Sequence, residues 1–263
     1  MLIEDGTLQY WLDRFYGFGS WDSPVWFVGY EEGGGDLPEE VAEKFDYFYN
    51  LKSAESSLLC DLRDLYRHVA FRTDGPRAGL FATLYDYRFG EHAVLHGIWK
   101  NLIAFSRSYQ DLEIPDLLTY QKNHFTIASE ALIALYPLPS PHNHAWYYSW
   151  LDLPQKSMLK TRKLYEEYVY QQRIQTILTR IQAHKPQVVL MYGMNNINQL
   201  KRSIQEFFAG VEFSMVKGTK QEIPQHHRTD IIGTTIIITT QIPALKHNRV
   251  DSGFDWARFG KGR

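Results

Sequence analysis

Four short, nearly unbroken apolar runs punctuate the chain: Val25–Tyr30 (VWFVGY), Ala131–Tyr136 (ALIALY), Gln187–Tyr192 (QVVLMY) and Thr234–Thr240 (TTIIITT). Runs of this length read as strands buried on both faces. Between them the spacing turns helical. Leu8, Trp11, Leu12 and Phe15 share one face of Thr7–Tyr16, with Gly17 and Gly19 as stop signals. Pro38 to about Arg67 reads as one or two helices, and further helices are expected over His92–Ser106, from about Ser157 to Ala183, and over Asn195–Phe208. Strands that alternate with helices predict an α/β fold: a single three-layer α/β/α domain on a central, mainly parallel four-stranded sheet. No repeat, low-complexity tract or linker interrupts the 263 residues. Ligands of such sheets sit beyond the carboxyl ends of the strands. The segments to search are therefore Gly29–Asp36, Pro137–His144, Gly193–Asn198 and Gln241–Arg249.

Composition narrows the class. Charged residues make up 22% and apolar residues 44%, which excludes a disordered chain, a coiled coil and a collagen. The single cysteine, Cys60, closes no intrachain disulfide and excludes both a multi-cysteine zinc site and a four-cysteine iron–sulfur cluster. No apolar run approaches the ~20 residues of a membrane helix, and MLIEDGTLQYW lacks the pattern of a secretion signal. The expectation is a soluble, cytoplasmic protein with no cofactor and no membrane partner. The net charge of −2 hides an uneven distribution. Gly29–Asp64 holds 10 acidic and 3 basic residues, whereas Lys156–Lys185 holds 7 basic and 2 acidic, and Lys246–Arg263 holds 5 and 2. Two basic segments on an acidic chain still offer a face for a phosphate backbone, joining Lys156–Lys163 with Lys246, Arg249 and Arg258; as solvated helix charge they offer none.

The segment after the first strand, Gly29-Tyr30-Glu31-Glu32-Gly33-Gly34-Gly35-Asp36, sets consecutive glycines beside two carboxylates. The glycines admit a ligand close to the backbone, and the carboxylates suit work on water or on a developing cation. It contains neither a Walker sequence nor G-x-G-x-x-G. The second segment is stiffened by Pro137, Pro139 and Pro141 and ends in His142, Asn143 and His144, residue types that hold a metal, a phosphate or a base. Trp146–Trp150 is an aromatic cluster that either covers the core or stacks on bases. In the last segment Leu245 stands between Pro243 and a basic run of Lys246, His247 and Arg249. That is the make-up of an apolar wedge with cations to hold phosphates, or of an ordinary surface loop.

Taken in order, from about Val25 to Arg249, these segments resemble the uracil-DNA glycosylase superfamily. Its members enter the site through an apolar strand and a loop of the form Gly-Gln-Asp-Pro-Tyr, Gly-Met-Asn-Pro-Gly or Gly-Glu-x-Pro-Gly, and Gly29-Tyr30-Glu31-Glu32-Gly33 is similar. Gly97–Leu102 is similar to the family's next helix. Gln187–Gly193 is similar to its third strand and glycine, and Thr239–Ala244 stands where the family has His-Pro-Ser. The resemblance implies a hydrolase of DNA repair that flips a damaged base and cleaves its N-glycosidic bond, with DNA as partner. It implies a catalytic role for Glu31. It also implies a base site from Gly29, Tyr30, Glu32, Gly33, Gly34, Trp99, Tyr136, Pro137, Asn143, Ile242 and Pro243, and a DNA-binding loop of Leu245, Lys246, His247 and Arg249. Three positions depart from the pattern. Ala134 and Leu135 replace a base-reading Asn, Ile242 replaces the His, and Glu32 replaces the Pro and is expected to point away from the crevice. Uracil excision is accordingly expected to be weak or absent. Alternatives from other classes are a non-catalytic nucleic-acid binder of the same fold and a small-molecule-binding α/β protein.

Overall fold

The computed structural model describes residues 3–35, 37–51, 58–72, 77, 79–127, 129–140, 146–151, 153, 155–219, 222–244 and 253–262. His142, Asn143, His144, Leu245, Lys246, His247 and Arg249 lie outside the described residues. The strands are β1 (Gly17–Phe18), β2 (Val25–Glu31), β3 (Leu59–Cys60), β4 (Glu130–Tyr136), β5 (Val188–Tyr192), β6 (Ser214–Val216), β7 (His226–Ile231) and β8 (Thr234–Ile238). The helices are α1 (Asp5–Arg14), α2 (Pro38–Asn50), α3 (Leu62–Arg67), α4 (Leu84–Phe89), α5 (Trp99–Tyr109), α6 (Leu117–Asn123), α7 (Arg162–His184), α8 (Ile197–Phe207) and α9 (Trp256–Lys261). Short 3₁₀ turns cover Tyr147–Trp150 and Ser157–Lys160.

The α/β class stands, but the four-stranded sheet does not. The strands form one mixed, eight-stranded sheet in the order β3-β1-β4-β2-β5-β8-β7-β6. The four apolar runs are its middle: β4, β2, β5 and β8 pair in parallel, with Trp26 opposite Ala131 and Val189. The outer strands escape periodicity for two reasons. β1 and β3 have two residues each, too few to show a period. β6 is fully exposed, and β7 (HHRTDI) is mostly polar, with His226, Thr229 and Ile231 buried, and pairs antiparallel to β8. Helix boundaries also shift. His92–Ile98 is not helical and α5 starts at Trp99, while α7 starts at Arg162 behind a 3₁₀ turn.

Consecutive strand residues face opposite sides of a sheet. Phe27 meets Phe105 of α5 at 6.0 Å between ring centroids, whereas Trp26 meets His184 of α7 at 6.3 Å. Helices therefore cover both faces. The fully buried Arg173 of α7 clamps the end of β4, donating to the carbonyls of Phe15 and Ala134 at 2.6 Å each and of Leu135 at 3.1 Å. At the far edge β3 carries the buried Cys60, whose strand pairs only with β1.

The connection order creates the crevice. From β2 the chain moves to β4 on one side, and from β5 it moves to β8 on the other. The carboxyl ends of adjacent β2 and β5 thus send their loops apart, which opens a cleft between them.

Candidate active site at the carboxyl edge of the sheet

A cavity of about 1520 Å³ occupies that cleft and continues along the α5 face of the sheet beneath the α2–α5 segment. It is larger than the ~300–1,000 Å³ of a drug-sized site. It is lined by Gly29–Gly34, Gly193–Asn195, Thr240 and Ile242 from the strand ends, and by Tyr66, His96 and Trp99. Gly33 and Ile242, from the first and last loops, line the same cavity.

The two carboxylates of the first loop part company. Glu31, the last residue of β2, is ion-paired to Arg162 at the start of α7, and Arg162 also donates to Ser140 Oγ at 2.8 Å. Burial raises the Glu31 carboxyl above its usual range, opposed by Arg162. Glu32 follows the strand. Its N–H donates to Tyr136 O and its carbonyl accepts from Ser140 N–H, so the backbone is pinned on both sides. Burial pushes the Glu32 carboxyl up to about 7, against the pull of Lys44 and with the push of Glu40.

Lys44 of α2 is fully enclosed, bridged to Glu40 Oε1 at 2.8 Å and donating to Gly33 O at 3.3 Å. Burial alone pulls the ammonium down, but Glu40, Tyr66 and Glu32 around it hold it above the usual lysine range. Gly34 makes the arrangement possible. Its φ is +89°, and an added Cβ would stand 2.6 Å from Glu40 Oε1 and 2.8 Å from Lys44 Nζ. Lys44 thus remains charged, and the Glu32 carboxyl is the one raised toward neutral pH.

Hydroxyls and an imidazole complete the wall. Tyr192 ends β5 with its Oη above Gly29, where an added Cβ would come within 3.0 Å of it. Burial and then Glu32 raise the Tyr192 phenol far above its usual range, and burial takes Tyr66 up to about 12 against Lys44. His96 Nδ1 accepts from Ile98 N–H at 3.1 Å and Trp99 N–H at 3.3 Å. Burial, aided by Arg88, lowers its pKa to about 3, so the ring is neutral. With Nδ1 accepting, the proton of this cavity-lining imidazole sits on Nε2, which bonds no described residue. The ring stacks on Trp99 at 4.4 Å between centroids. Tyr66, Tyr192 and His96 thus offer donors that no side chain consumes, beside a carboxyl that exchanges its proton near pH 7.

Of the residues expected from the sequence, Gly29, Tyr30, Glu31, Glu32, Gly33, Gly34, Trp99 and Ile242 line this cavity. Glu32 does not point away from it. Three others do different work. Tyr136 is covered by Tyr30, 4.8 Å away between centroids. The Pro137 carbonyl accepts from Trp11 Nε1, and that of Pro243 accepts from Asn101 Nδ2, each at 2.8 Å. Of the expected basic face, Lys246 and Arg249 lie outside the described residues, and three of the described cations have acidic partners. Lys156 pairs with Asp5, Lys163 with Glu167 and Arg258 with Glu222. Lys44, Tyr66, Arg88, His96 and Tyr192 were not foreseen, although Tyr192 closes an apolar strand just before Gly193 and was within reach of the strand-end rule. Among the described residues no group of three or more His, Cys, Asp or Glu side chains is placed to hold a metal ion, and no helix is long and apolar enough to cross a membrane. No protein-family model matches the chain, and no curated protein matches it in sequence.

Proposed function

We propose that this cavity receives a nucleobase and that the protein is a divergent glycosylase-like hydrolase of N-glycosidic bonds, with Glu32 as its acid–base group. The observation that carries the reading is the Glu32 carboxyl, with a pKa of about 7, set among Tyr66, Tyr192 and the neutral His96 in the switch-point cleft. A base whose pKa lies near working pH is the efficient one. In the reaction, water attacks the anomeric carbon as its bond to the base nitrogen breaks, and the water proton passes to Glu32. The ionised carboxylate also faces the cationic sugar that develops in such transition states. The departing base carries the electron pair and is met by N–H and O–H donors from His96 and Tyr192, in the manner of an oxyanion site. These donors stand in for the His missing at Ile242. Glu31, held by Arg162, acts as a positioning residue that fixes the end of β2. The same ion pair favours a second reading, a binder without catalysis, because it removes the carboxylate that the family resemblance makes catalytic.

The test is a cleavage panel of oligonucleotides, nucleosides and nucleotides carrying uracil, hypoxanthine, xanthine and alkylated bases. Base release from at least one substrate, reduced ~10²–10⁴-fold by Glu32→Gln, is the expected result. Release unaffected by that substitution, or none from any substrate, would sink the catalytic reading.

A further inference from the structure

The same cavity carries a second feature, chemically opposite to the first, with Arg88 near Tyr66 and His96. Arg77 and Arg88 both flank the ring of Tyr87. Arg77 Nη1 donates to Tyr87 Oη at 2.8 Å, and the Arg88 guanidinium lies 4.1 Å from the ring centroid and 5.8 Å from that of Trp99. Arg88 also hydrogen-bonds the Tyr87 side chain and, at a long 3.3 Å, the Val94 carbonyl. Neither guanidinium is paired with a carboxylate among the described residues. Burial, which comes first, and the neighbouring Arg77 both lower the Arg88 pKa, and only phenols oppose them. Two guanidiniums lining one cavity, with no carboxylate paired to them among the described residues, suit an anion: each offers a planar fork of donors matched to phosphate oxygens. Three of the carboxylates that line the cavity are engaged, while Glu39 is exposed to solvent. Glu40 is bridged to Lys44, Glu31 to Arg162, and Glu43 accepts from Ala70 N–H at 2.7 Å.

We infer that the ligand is a free nucleoside monophosphate, its base among the Glu32, Tyr66 and His96 groups and its phosphate on Arg77 and Arg88. This rests on the nucleobase reading above and adds the substrate class to it. Two cations match a terminal phosphate monoester, which carries close to two negative charges at neutral pH. An internal phosphodiester carries one. The volume has room for base, sugar and phosphate together.

Isothermal titration of the whole protein with deoxyuridine and deoxyinosine 5′-monophosphates, the matching nucleosides, inorganic phosphate and a single-stranded oligonucleotide with an internal uracil tests it. The monophosphates are expected to bind at least tenfold tighter than their nucleosides. Arg88→Lys should erase that advantage, read as the ratio of monophosphate to nucleoside affinity in the same variant. Arg77→Gln, at an exposed position where folding is not at stake, should reduce it several-fold. Equal affinity for nucleoside and monophosphate, or binding of the oligonucleotide alone, overturns the inference and leaves the nucleobase site standing. Binding of inorganic phosphate alone, or of none of the probes, overturns both.

Discussion

Glu31 and Glu32 are adjacent in the chain, yet they belong to two different walls of one cleft. Glu31 faces the start of α7, where Arg162 neutralises it and Ser140 holds that arginine in turn. Glu32 turns to the α2–α3 wall, where Lys44 is already committed to Glu40. One carboxylate is ion-paired directly, and the other shares a cation that is bridged to a different acid. The difference is a pKa held near neutrality at Glu32 and an anchored ion pair at Glu31. Burial is the largest cause of the upward shift at both acids, and a neighbouring cation opposes it at each, Arg162 at Glu31 and Lys44 at Glu32.

The largest way to break this contrast is Lys44→Met. It strands Glu40 and Glu32 in an enclosed site, and unfolding in urea should report a loss of ~3–5 kcal/mol at pH 8, the usual cost of breaking a buried pair. The loss should shrink toward pH 5, where both acids take up protons. Next is Glu32→Gln. The Glu32 pKa is about 7 when folded, above its unfolded value, so the native state binds more protons between the two. Its contribution to stability is fully present below the unfolded pKa and is lost as pH rises toward 7. The neutral amide escapes that loss, and Glu32→Gln should be about 3 kcal/mol more stable than the parent at pH 8 and equal to it at pH 4. A parent no less stable at pH 8 than Glu32→Gln would undo the assignment of the raised carboxyl.

On the other wall the effect is smaller. Arg162→Met leaves Glu31 half-buried without its cation and should lower stability at pH 7 by ~1–2 kcal/mol, while the double change with Glu31→Gln recovers most of it. Full additivity in that cycle would mean the two side chains do not interact. Smallest is Gly29→Ala, where a methyl 3.0 Å from Tyr192 Oη displaces the phenol by a few tenths of an ångström. Stability should change by less than ~1 kcal/mol. Ligand affinity at the cleft should fall several-fold, and in a protein already carrying Tyr192→Phe the same Gly29→Ala change should leave affinity where it was.

The middle of the sheet was legible because β2, β4, β5 and β8 are apolar on both faces, and a parallel strand between helices has no other composition open to it. The loops after β2 and β5 were legible for the same reason, since strand ends locate the crevice. The partition of the two glutamates was not. It depends on Arg162, 131 residues from Glu31 in sequence, and on a lysine enclosed by α2. His96, Arg77 and Arg88 were hidden more deeply. They come from irregular or short segments around α4, and only tertiary folding brings those segments over the sheet. β7 was missed because Thr and His take the inward positions that apolar residues usually mark.

The edge of the sheet has a practical consequence of another kind. Cys60 is the chain's single cysteine, buried in a two-residue strand at the end of the sheet. Burial, and then Glu32 and Asp61, push its thiol well above the usual range. A thiol reagent added to the native protein therefore reacts only after β3 peels from β1, and every molecule of adduct counts one such excursion. The labelling rate measures the free energy of that partial unfolding, without isotope and without a probe being introduced. Because β3 leads directly into α3, which carries Tyr66, a bound ligand that contacts Tyr66 should slow the clock, and one that does not should leave it running at the same pace.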